Sequence, residues 1–367
     1  MKVLICASEC VPFVKTGGLA DVVGSLPKEL LKQGCDVRVM IPKYRVIDWS
    51  YIANMEHIAH YQLPFGNGSV FCGIDTIEYE GVRFYFIDNL AMFGHDGVYT
   101  GDEQEGFRYA FFCRAVLDSL PKVDFFPDVI HCNDWQTGLI PALLKTQYAL
   151  DPEYAKIKTV YTIHNLRFQG LYCWNRIADV LHIDGRYFTS DALEFYGLLS
   201  FMKGGIVYAD RVTTVSPTYA EEICTDYYGE RLDGLLRSRK YSLSGILNGI
   251  DTGSYDPHTD PALSEHYSVR NPQVKKSLKA FSSSHVVIHD NLFFSKMSNM
   301  NFQIFKLALE KAEEPEIKLP KFVGSFKKQE SSRKTSTSAL LTMPKPLTVW
   351  ITRNCGQFFK RWEYQTT

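Results

Sequence analysis

A short glycine-containing segment, Lys15 to Asp21, lies between two apolar runs of different periodicity. The run Val3 to Ala7 predicts a buried strand, and the amphipathic run Leu19 to Gln33 predicts a helix. A glycine pair between them lets the backbone approach a ligand closely, and the first turn of a helix presents unpaired N–H groups. Lys15 adds a flexible cation. The segment therefore predicts a phosphate-binding turn, and for a glycine pair alone a tight turn with a solvated lysine is the alternative.

Polar residues also follow two other predicted strands. Asp134 comes shortly after the apolar run 129–132, and His164 and Asn165 come directly after the run 158–163. Ligands of open α/β sheets bind at the carboxyl ends of the strands, so these positions are candidates for a binding site. Two simpler interpretations remain open. Asp134 would only cap the following helix, and His164 would be a structural histidine with satisfied hydrogen bonds.

The surrounding pattern predicts an α/β fold with a Rossmann-like parallel sheet flanked by helices. The strand at 2–7, the helix at 19–33 and a second strand at 37–41 form a βαβ unit, which requires parallel strands. Within the helix, Pro27 is expected to cause a kink or a restart, and Gly34 suits the position after its end. Alternating residues between 51 and 90 predict hairpin strands that extend the sheet.

Taken together, these segments resemble the family of bacterial glycogen synthases and plant starch synthases. The matching segments are Ser8-Glu9 with Pro12, Lys15-Thr16-Gly17-Gly18-Leu19-Ala20-Asp21-Val22, Asp134-Trp135-Gln136-Thr137-Gly138, Thr162 to Gly170, Lys203 to Pro217, and Leu247-Asn248-Gly249-Ile250-Asp251. The resemblance covers residues 1 to about 270. It implies a retaining glycosyltransferase of the GT-B type, with two facing Rossmann-like domains. Such enzymes transfer glucose from ADP-glucose to the non-reducing end of an α-1,4-glucan.

The resemblance also implies roles for individual residues. It assigns His164 and Asp134 to catalysis, with His164 holding the donor sugar near its anomeric carbon. It assigns nucleotide-sugar binding to Lys15, Thr16, Gly17, Gly18, Asp21, Asn165, Asn248 and Tyr99. Surface packing is the alternative for Tyr99, and a simple Asn-Gly turn is the alternative for Asn248.

No cofactor and no metal site are expected. His57 and His60 are spaced so that both could face one way on a helix, but the sequence provides them with no evident carboxylate or cysteine partner. The expected partners, ADP-glucose and an α-glucan such as glycogen or starch, follow from the resemblance.

Composition limits the functional classes. The 367 residues are 45% hydrophobic, enough for one or two domains with real cores, and the net charge of −1 gives no general attraction to nucleic acid. Nine scattered cysteines without a C-x-x-C pair are typical of buried thiols in a reducing compartment. The first apolar run is too short for a signal peptide, and no run is long enough to span a membrane. We therefore expect a cytoplasmic protein that does not bind nucleic acid or membranes.

The last quarter of the chain differs from the rest. Residues 272–367 contain 16 Lys and Arg against 7 Asp and Glu, and their only glycines are Gly324 and Gly356. We expect a Rossmann-like domain at 1–255, a linker at 256–280 and an irregular tail at 281–367 without the arginine, lysine and glutamate motifs of a second GT-B domain. A frame-shifted product, a partly disordered replacement segment and a diverged second domain are the three explanations.

Two further functional classes stand beside the glucosyltransferase. Without the second-domain motifs, the chain would be an incomplete enzyme with weak or no transfer activity, or a non-catalytic fragment that binds glucan or nucleotide. A dinucleotide-dependent oxidoreductase is the third class. It requires G-x-G-x-x-G after the first strand, and the glycine spacing here does not match.

Overall fold

The computed structural model describes residues 1–249, 251, 253, 256–260, 263 and 265–268. The expectations for the tail at 281–367 lie outside the described residues, as do parts of the segment 256–280. All statements below concern the described part of the chain.

The fold is built on one large sheet and one small sheet. The strands are β1 (Lys2–Cys6), β2 (Asp36–Pro42), β3 (Glu56–Phe65), β4 (Gly68–Tyr79), β5 (Val82–Asp88), β6 (Val129–Asn133), β7 (Lys158–Ile163), β8 (Leu171–Tyr172), β9 (Glu194–Phe195), β10 (Leu198–Ser200), β11 (Arg211–Thr214) and β12 (Leu243–Gly245). The large sheet has the order β12-β11-β7-β6-β1-β2-β5-β4-β3, and the small sheet has the order β8-β10-β9.

Strand direction divides the large sheet into two parts. The strands from β12 to β5 are mutually parallel, whereas β3 and β4 pair antiparallel with each other and β4 pairs antiparallel with β5. The parallel part confirms the predicted Rossmann-like sheet, and the antiparallel part confirms the predicted hairpin extension. The parallel strands are nearly continuous apolar runs because helices cover both of their faces.

The helices connect these strands. They are α1 (Gly18–Lys32), α2 (Trp49–Ile52), α3 (Leu90–Phe93), α4 (Glu103–Ser119), α5 (Leu139–Thr146), α6 (Pro152–Ala155), α7 (Trp174–Leu181), α8 (Phe201–Tyr208), α9 (Pro217–Glu222) and α10 (Asp233–Ser238). Ser216 caps α9 by accepting a hydrogen bond from the Tyr219 N–H, and Pro217 occupies its first turn, as the sequence predicts. Within the described residues, no helix is both long and apolar enough to cross a membrane.

The expectation that α1 restarts at Pro27 is wrong. The helix runs without interruption from Gly18 to Lys32. Leu26 and Leu30 on either side of the proline are buried against the sheet. Burial of this apolar face outweighs the one backbone hydrogen bond that proline removes. Gly34, in contrast, has the expected left-handed conformation after the helix end, with φ of 79°.

Gly170 has two requirements that only glycine satisfies. Its φ is 59°, and a Cβ at this position would overlap the ring of Trp135. Trp135 is itself buried, with its ring centroid 5.1 Å from that of Tyr109 and 5.6 Å from that of Phe201. The glycine thus allows the chain that leaves β7 to pack closely on an aromatic cluster.

We predict that Gly170→Ala destabilises the protein by about 3 kcal/mol or more, because strain at positive φ and overlap with Trp135 add to each other. Gly81→Ala is the matched control, since Gly81 has φ of 77° but nothing within 4 Å of the place that an added Cβ would occupy. The control should lose only about 1–2 kcal/mol. Urea unfolding measures both variants, and equal losses would show that the Trp135 contact is unimportant.

Candidate active site

The candidate site lies at the carboxyl end of the parallel strands, where the direction of chain winding changes. From β1 the chain passes to β2 on one side, and it later returns to β6 on the other side of β1. The two connections leave a crevice beyond the end of β1, which is the usual ligand position in open α/β sheets. The polar segments predicted after β1, β6 and β7 therefore share one edge.

Glu9 organises the glycine turn. One carboxylate oxygen, Oε2, accepts hydrogen bonds from the N–H of Thr16, from the hydroxyl of Thr16 at 2.7 Å and from the N–H of Gly17 at 3.3 Å. Glu9 is 2% exposed, and these bonds compensate for burying its carboxylate. The turn is consequently held in one conformation, and its first two amides point at a protein carboxylate.

Lys15 and Asp21 lie on either side of the start of α1. The Lys15 Nζ is 2.8 Å from the Asp21 Oδ1, and both side chains are partly exposed. Gly17 is the N-cap residue and supplies no side-chain bond to the first turn. The lysine therefore stands beside a helix N-terminus, in a position suited to an anionic ligand.

Asp134 connects β6 to the loop that follows β7. Its Oδ1 accepts hydrogen bonds from the N–H of His164 at 2.7 Å and of Asn165 at 3.3 Å. The side chain makes no capping bond to the turn Trp135–Thr137 that follows it, so the interpretation of Asp134 as a mere helix cap is wrong. Its φ of 56° and ψ of −178° lie in a region that favours glycine, a strained conformation common at functional sites.

Burial controls the charge of Asp134. It raises the pKa of this carboxyl to about 7, the two backbone hydrogen bonds oppose the shift, and the nearby Glu9 carboxylate adds to it. The strand β6 pairs with β1 up to Cys132 and Cys6, so the end of β6 adjoins the segment that leads into the glycine turn. Near neutral pH this carboxyl is therefore poised between its two protonation states.

The hydrogen bonds of Asn133 determine the tautomer of His164. The Asn133 amide nitrogen donates to the Cys6 carbonyl at 3.1 Å, so its Oδ1 is the acceptor that faces the His164 Nε2 at 3.0 Å. His164 therefore carries its proton on Nε2, and Nδ1 is left as an acceptor. Burial lowers the pKa of His164 to about 4, which keeps the ring neutral at pH 7.

A second histidine supports this strand end from within the sheet. The His131 Nε2 is 2.6 Å from the Thr162 hydroxyl, which is itself 2.6 Å from the hydroxyl of Thr213. Burial, with a contribution from His164, lowers the pKa of His131 to about 3. The chain of hydrogen bonds ties β6, β7 and β11 together directly beneath the candidate site.

Tyr99 reaches the same crevice from the loop before α4. Its hydroxyl is 2.8 Å from the Ser8 hydroxyl, next to Glu9. Burial and the Glu9 carboxylate raise the pKa of Tyr99, which keeps the phenol protonated. The loop is fixed from α4, where buried Arg108 donates to the Val98 carbonyl and Glu105 accepts from the Gly101 N–H at 2.7 Å.

The two predicted asparagines are both exposed. Asn165 belongs to the His164 loop, where its Oδ1 accepts from the Arg167 N–H at 3.1 Å. Asn248 lies beyond the end of β12, and β11 separates that strand from β7. Asn248 thus shares the edge of the sheet with the other residues but lies at its far side.

Glu9 and Asn133 are not among the site residues predicted from the sequence, although both position segments of the site. Glu9 is the only charged residue between Val3 and Val14, and an isolated acid in an apolar run was the available signal. Asn133 is a polar residue at the end of an apolar strand, but its choice of partners depends on the neighbouring strand β1.

His57 and His60 lie in β3, so the suggested helical placement is wrong. A shift in register between His57 and Ala59 accompanies a 3.1 Å contact between the two imidazoles. His57 also contacts the buried carboxylate of Asp75 at 2.8 Å. Within the described ranges, no three histidine, cysteine or acidic side chains are grouped so that they could hold a metal ion.

Comparison with known proteins identifies the family of this chain. The family described as "Starch synthase catalytic domain" matches residues 2–238. This chain belongs to that family. A glycogen synthase of Anoxybacillus flavithermus is 55% identical over 269 residues, which are 73% of this chain and 55% of the relative. A glycogen synthase of Geobacillus thermodenitrificans is 53% identical over 276 residues, which are 75% of this chain and 57% of the relative.

A solved structure in the same family has a similar fold. The catalytic domain of starch synthase IV from Arabidopsis thaliana, bound to ADP and acarbose, is 30% identical and superimposes with a TM-score of 0.69. The match covers 77% of this chain and 60% of that chain. This similarity confirms the Rossmann-like fold of the GT-B type that was predicted for this chain. The chain spans little more than half the length of the glycogen synthases that it matches.

We predict that Glu9→Ala releases the glycine turn without unfolding the sheet. Hydrogen exchange of the Thr16 and Gly17 amides should become at least tenfold faster, because their shared acceptor is lost. Glu9→Gln retains one carbonyl oxygen and should give an intermediate rate. Unchanged exchange in Glu9→Ala would contradict the assigned role.

We also predict that Asp134→Asn changes the pH dependence of stability. The native carboxyl has a raised pKa, so the folded state holds its proton more tightly than the unfolded state. The wild type therefore loses stability as pH rises from about 4 through about 7, whereas the amide does not titrate. From pH 5 to pH 8 the free energy of unfolding of the wild type should therefore fall by about 2–3 kcal/mol relative to that of the variant.

Urea unfolding at both pH values measures the difference. Asp96→Asn is the control, since this carboxylate is 95% exposed. A variant curve parallel to that of the wild type would show that Asp134 titrates normally.

Proposed function

We propose that residues 1–249 form the N-terminal half of an active site that transfers glucose from ADP-glucose to the non-reducing end of an α-1,4-glucan with retention. The observation that carries the proposal is the convergence of the Glu9-held glycine turn, Asp134 and neutral His164 at the winding change of the sheet. Membership of the starch synthase catalytic domain family supports the substrate class.

The glycine turn and Lys15 would bind the diphosphate of the donor. Negative charge grows on this group as the bond to the sugar breaks, and a helix N-terminus with a lysine beside it stabilises such charge. Asp21 pairs with Lys15 at 2.8 Å and so orients the ammonium group. Thr16, Gly17 and Gly18 place the start of α1 close to the phosphates.

His164 and Asp134 would position the sugar. Neutral His164 offers Nδ1 as a hydrogen-bond acceptor for a sugar hydroxyl, and it does not place a cation against the oxocarbenium-like carbon of the transition state. Asp134 fixes the backbone of the His164 loop through two hydrogen bonds. Tyr99, Asn165 and Asn248 would make the remaining contacts to the donor. Such contacts hold the reacting groups in position, and this positioning contributes much of the rate.

A non-catalytic glucan- or nucleotide-binding role is the second candidate. Binding without transfer is the behaviour that distinguishes it from the enzyme.

We predict that transfer, measured as incorporation of labelled glucose from ADP-glucose into glycogen, falls about 100-fold or more in both Lys15→Ala and His164→Ala. Lys15→Ala should also weaken ADP binding about tenfold, whereas His164→Ala should change it less than threefold, because only Lys15 faces the diphosphate. Lys32→Ala is the control, an exposed lysine at the other end of α1.

Calorimetric titration with ADP separates the two candidate functions. Binding of ADP and glucan without transfer supports the non-catalytic role. If the folded wild type binds no ADP, or if Lys32→Ala weakens binding as much as Lys15→Ala does, the proposed phosphate site is wrong.

A further inference from the structure

The loop that carries Tyr99 has little apolar anchorage. It spans residues 94–102, connects α3 to α4 and includes Gly94, Gly97 and Gly101. Within this described segment Val98 alone is buried, whereas Tyr99 is 38% exposed. Burial stabilises a loop in proportion to the apolar area removed from water, so it contributes little here. Hydrogen bonds must therefore fix the position of Tyr99.

Arg108 of α4 supplies hydrogen bonds on both sides of Tyr99. The Arg108 side chain is 2% exposed, its Nη2 donates to the Val98 carbonyl oxygen, and its Nη1 lies 3.4 Å from the Thr100 hydroxyl. The two acceptors are the chain neighbours of Tyr99. A planar guanidinium holds two acceptors in a fixed relation, which the ammonium group of a lysine does not. Arg108 thus fixes the backbone from which the Tyr99 side chain projects.

A second donor from α4 reinforces the same carbonyl. The Tyr109 hydroxyl donates to the Val98 carbonyl oxygen at 3.3 Å, and it lies 3.0 Å from the hydroxyl of Tyr44 in the loop after β2. Both tyrosines are buried. Because hydrogen bonds from a charged donor are the stronger ones, the Arg108 bond is the main restraint and the Tyr109 bond the lesser one.

The other end of the Tyr99 side chain contacts the glycine turn region. The Tyr99 hydroxyl is 2.8 Å from the hydroxyl of Ser8, which is fully buried and directly precedes Glu9. Glu9 in turn accepts the hydrogen bonds that hold the glycine turn. A continuous set of contacts therefore leads from Arg108 through Tyr99 to the candidate phosphate-binding turn, while part of the Tyr99 ring stays accessible to a ligand.

The buried charge makes Arg108 and the loop depend on each other. A guanidinium removed from water is costly unless hydrogen bonds compensate for the lost hydration. Within the described residues, both hydrogen bonds of the Arg108 side chain go to the Tyr99 loop. Removing the arginine would leave the Val98 carbonyl with the Tyr109 bond alone, and the glycine-rich loop would sample other conformations.

We propose that Arg108 is a positioning residue of the donor site, which holds the Tyr99 loop against the glycine turn and so presents Tyr99 to the nucleoside diphosphate of the donor. This inference rests on the proposed function, in which Tyr99 contacts the donor, and deepens it by naming the group that places that contact. Direct attraction of the diphosphate by Arg108 is the competing role. It is disfavoured because the guanidinium is buried and bonded to protein acceptors.

A double-mutant cycle tests the proposal by calorimetric titration of the 367-residue chain with ADP. The variants are Arg108→Leu, Tyr99→Ala and the double variant. Arg108→Leu should weaken ADP binding about tenfold when Tyr99 is present and less than twofold in the Tyr99→Ala background, because a positioning residue acts only through the group that it positions. Arg108→Lys keeps the cation without the planar fork, so it should lose about threefold or more.

Arg114→Leu is the matched control. Arg114 lies on the same helix, but it bonds to Asp118 at 3.2 Å and Gln147 at 2.7 Å and not to the Tyr99 loop. Its replacement should leave ADP affinity within twofold of the wild type. Thermal unfolding verifies that the variants are folded.

Two further measurements keep the test informative if Arg108→Leu does not fold. Tyr109→Phe removes only the lesser bond to the Val98 carbonyl, and it should weaken ADP binding about two- to threefold with Tyr99 present and not in the Tyr99→Ala background. Hydrogen exchange of the Gly101 amide, which bonds to Glu105 at 2.7 Å, reports loop opening directly. It should become at least threefold faster in Arg108→Lys and stay unchanged in Arg114→Leu.

The outcomes separate this proposal from the proposed function. Equal losses of ADP affinity with and without Tyr99, wild-type affinity in folded Arg108→Leu, or full affinity in Arg108→Lys would each reject the positioning role and leave the donor site standing. Unchanged Gly101 exchange in Arg108→Lys would also reject it. If the folded wild type binds no ADP, the proposed function is wrong, and the role of Arg108 toward the donor is wrong with it.

Discussion

The parallel pairing of β1 with both β2 and β6 is the constraint on which the rest of this molecule depends. β1 lies between β2 and β6, and the chain segments that lead to these two strands run to opposite sides of β1. The carboxyl end of β1 is therefore left uncovered. The glycine turn follows that end, and Asp134 and His164 follow the neighbouring strands β6 and β7. The hairpin strands β3 and β4 extend the sheet beyond β5.

Within the crevice, carboxylates bond to backbone amides more than to cations. Glu9 accepts from the glycine turn, and Asp134 accepts from the loop after β7. Each therefore fixes a segment that carries a candidate ligand-binding side chain, Lys15 in the first case and His164 in the second. These two acids therefore position backbone segments through hydrogen bonds, and they do not form ion pairs with the lysine or the histidine.

Burial gives the site a common electrostatic character. It disfavours charge on acids and bases alike, so it raises the pKa of Asp134 to about 7 and lowers that of His164 to about 4. Both effects produce a largely neutral hydrogen-bonding surface where a sugar would lie. The partly exposed Lys15–Asp21 pair supplies charge at the edge, where a diphosphate would lie.

Much of this arrangement was determined by the sequence. Apolar periodicity predicted the parallel strands and the helix α1, and residues placed after strands predicted His164 and Asp134 as site residues, because both signals are local. Other features depended on tertiary structure. Asp134 bonds to the loop after β7 and does not cap the turn that follows it, and this depends on the pairing of β6 with β7. The helix α1 continues through Pro27 because its buried face packs on the sheet. The tautomer of His164 and the role of Glu9 arise from hydrogen bonds between residues distant along the chain, and no local pattern specifies such partners.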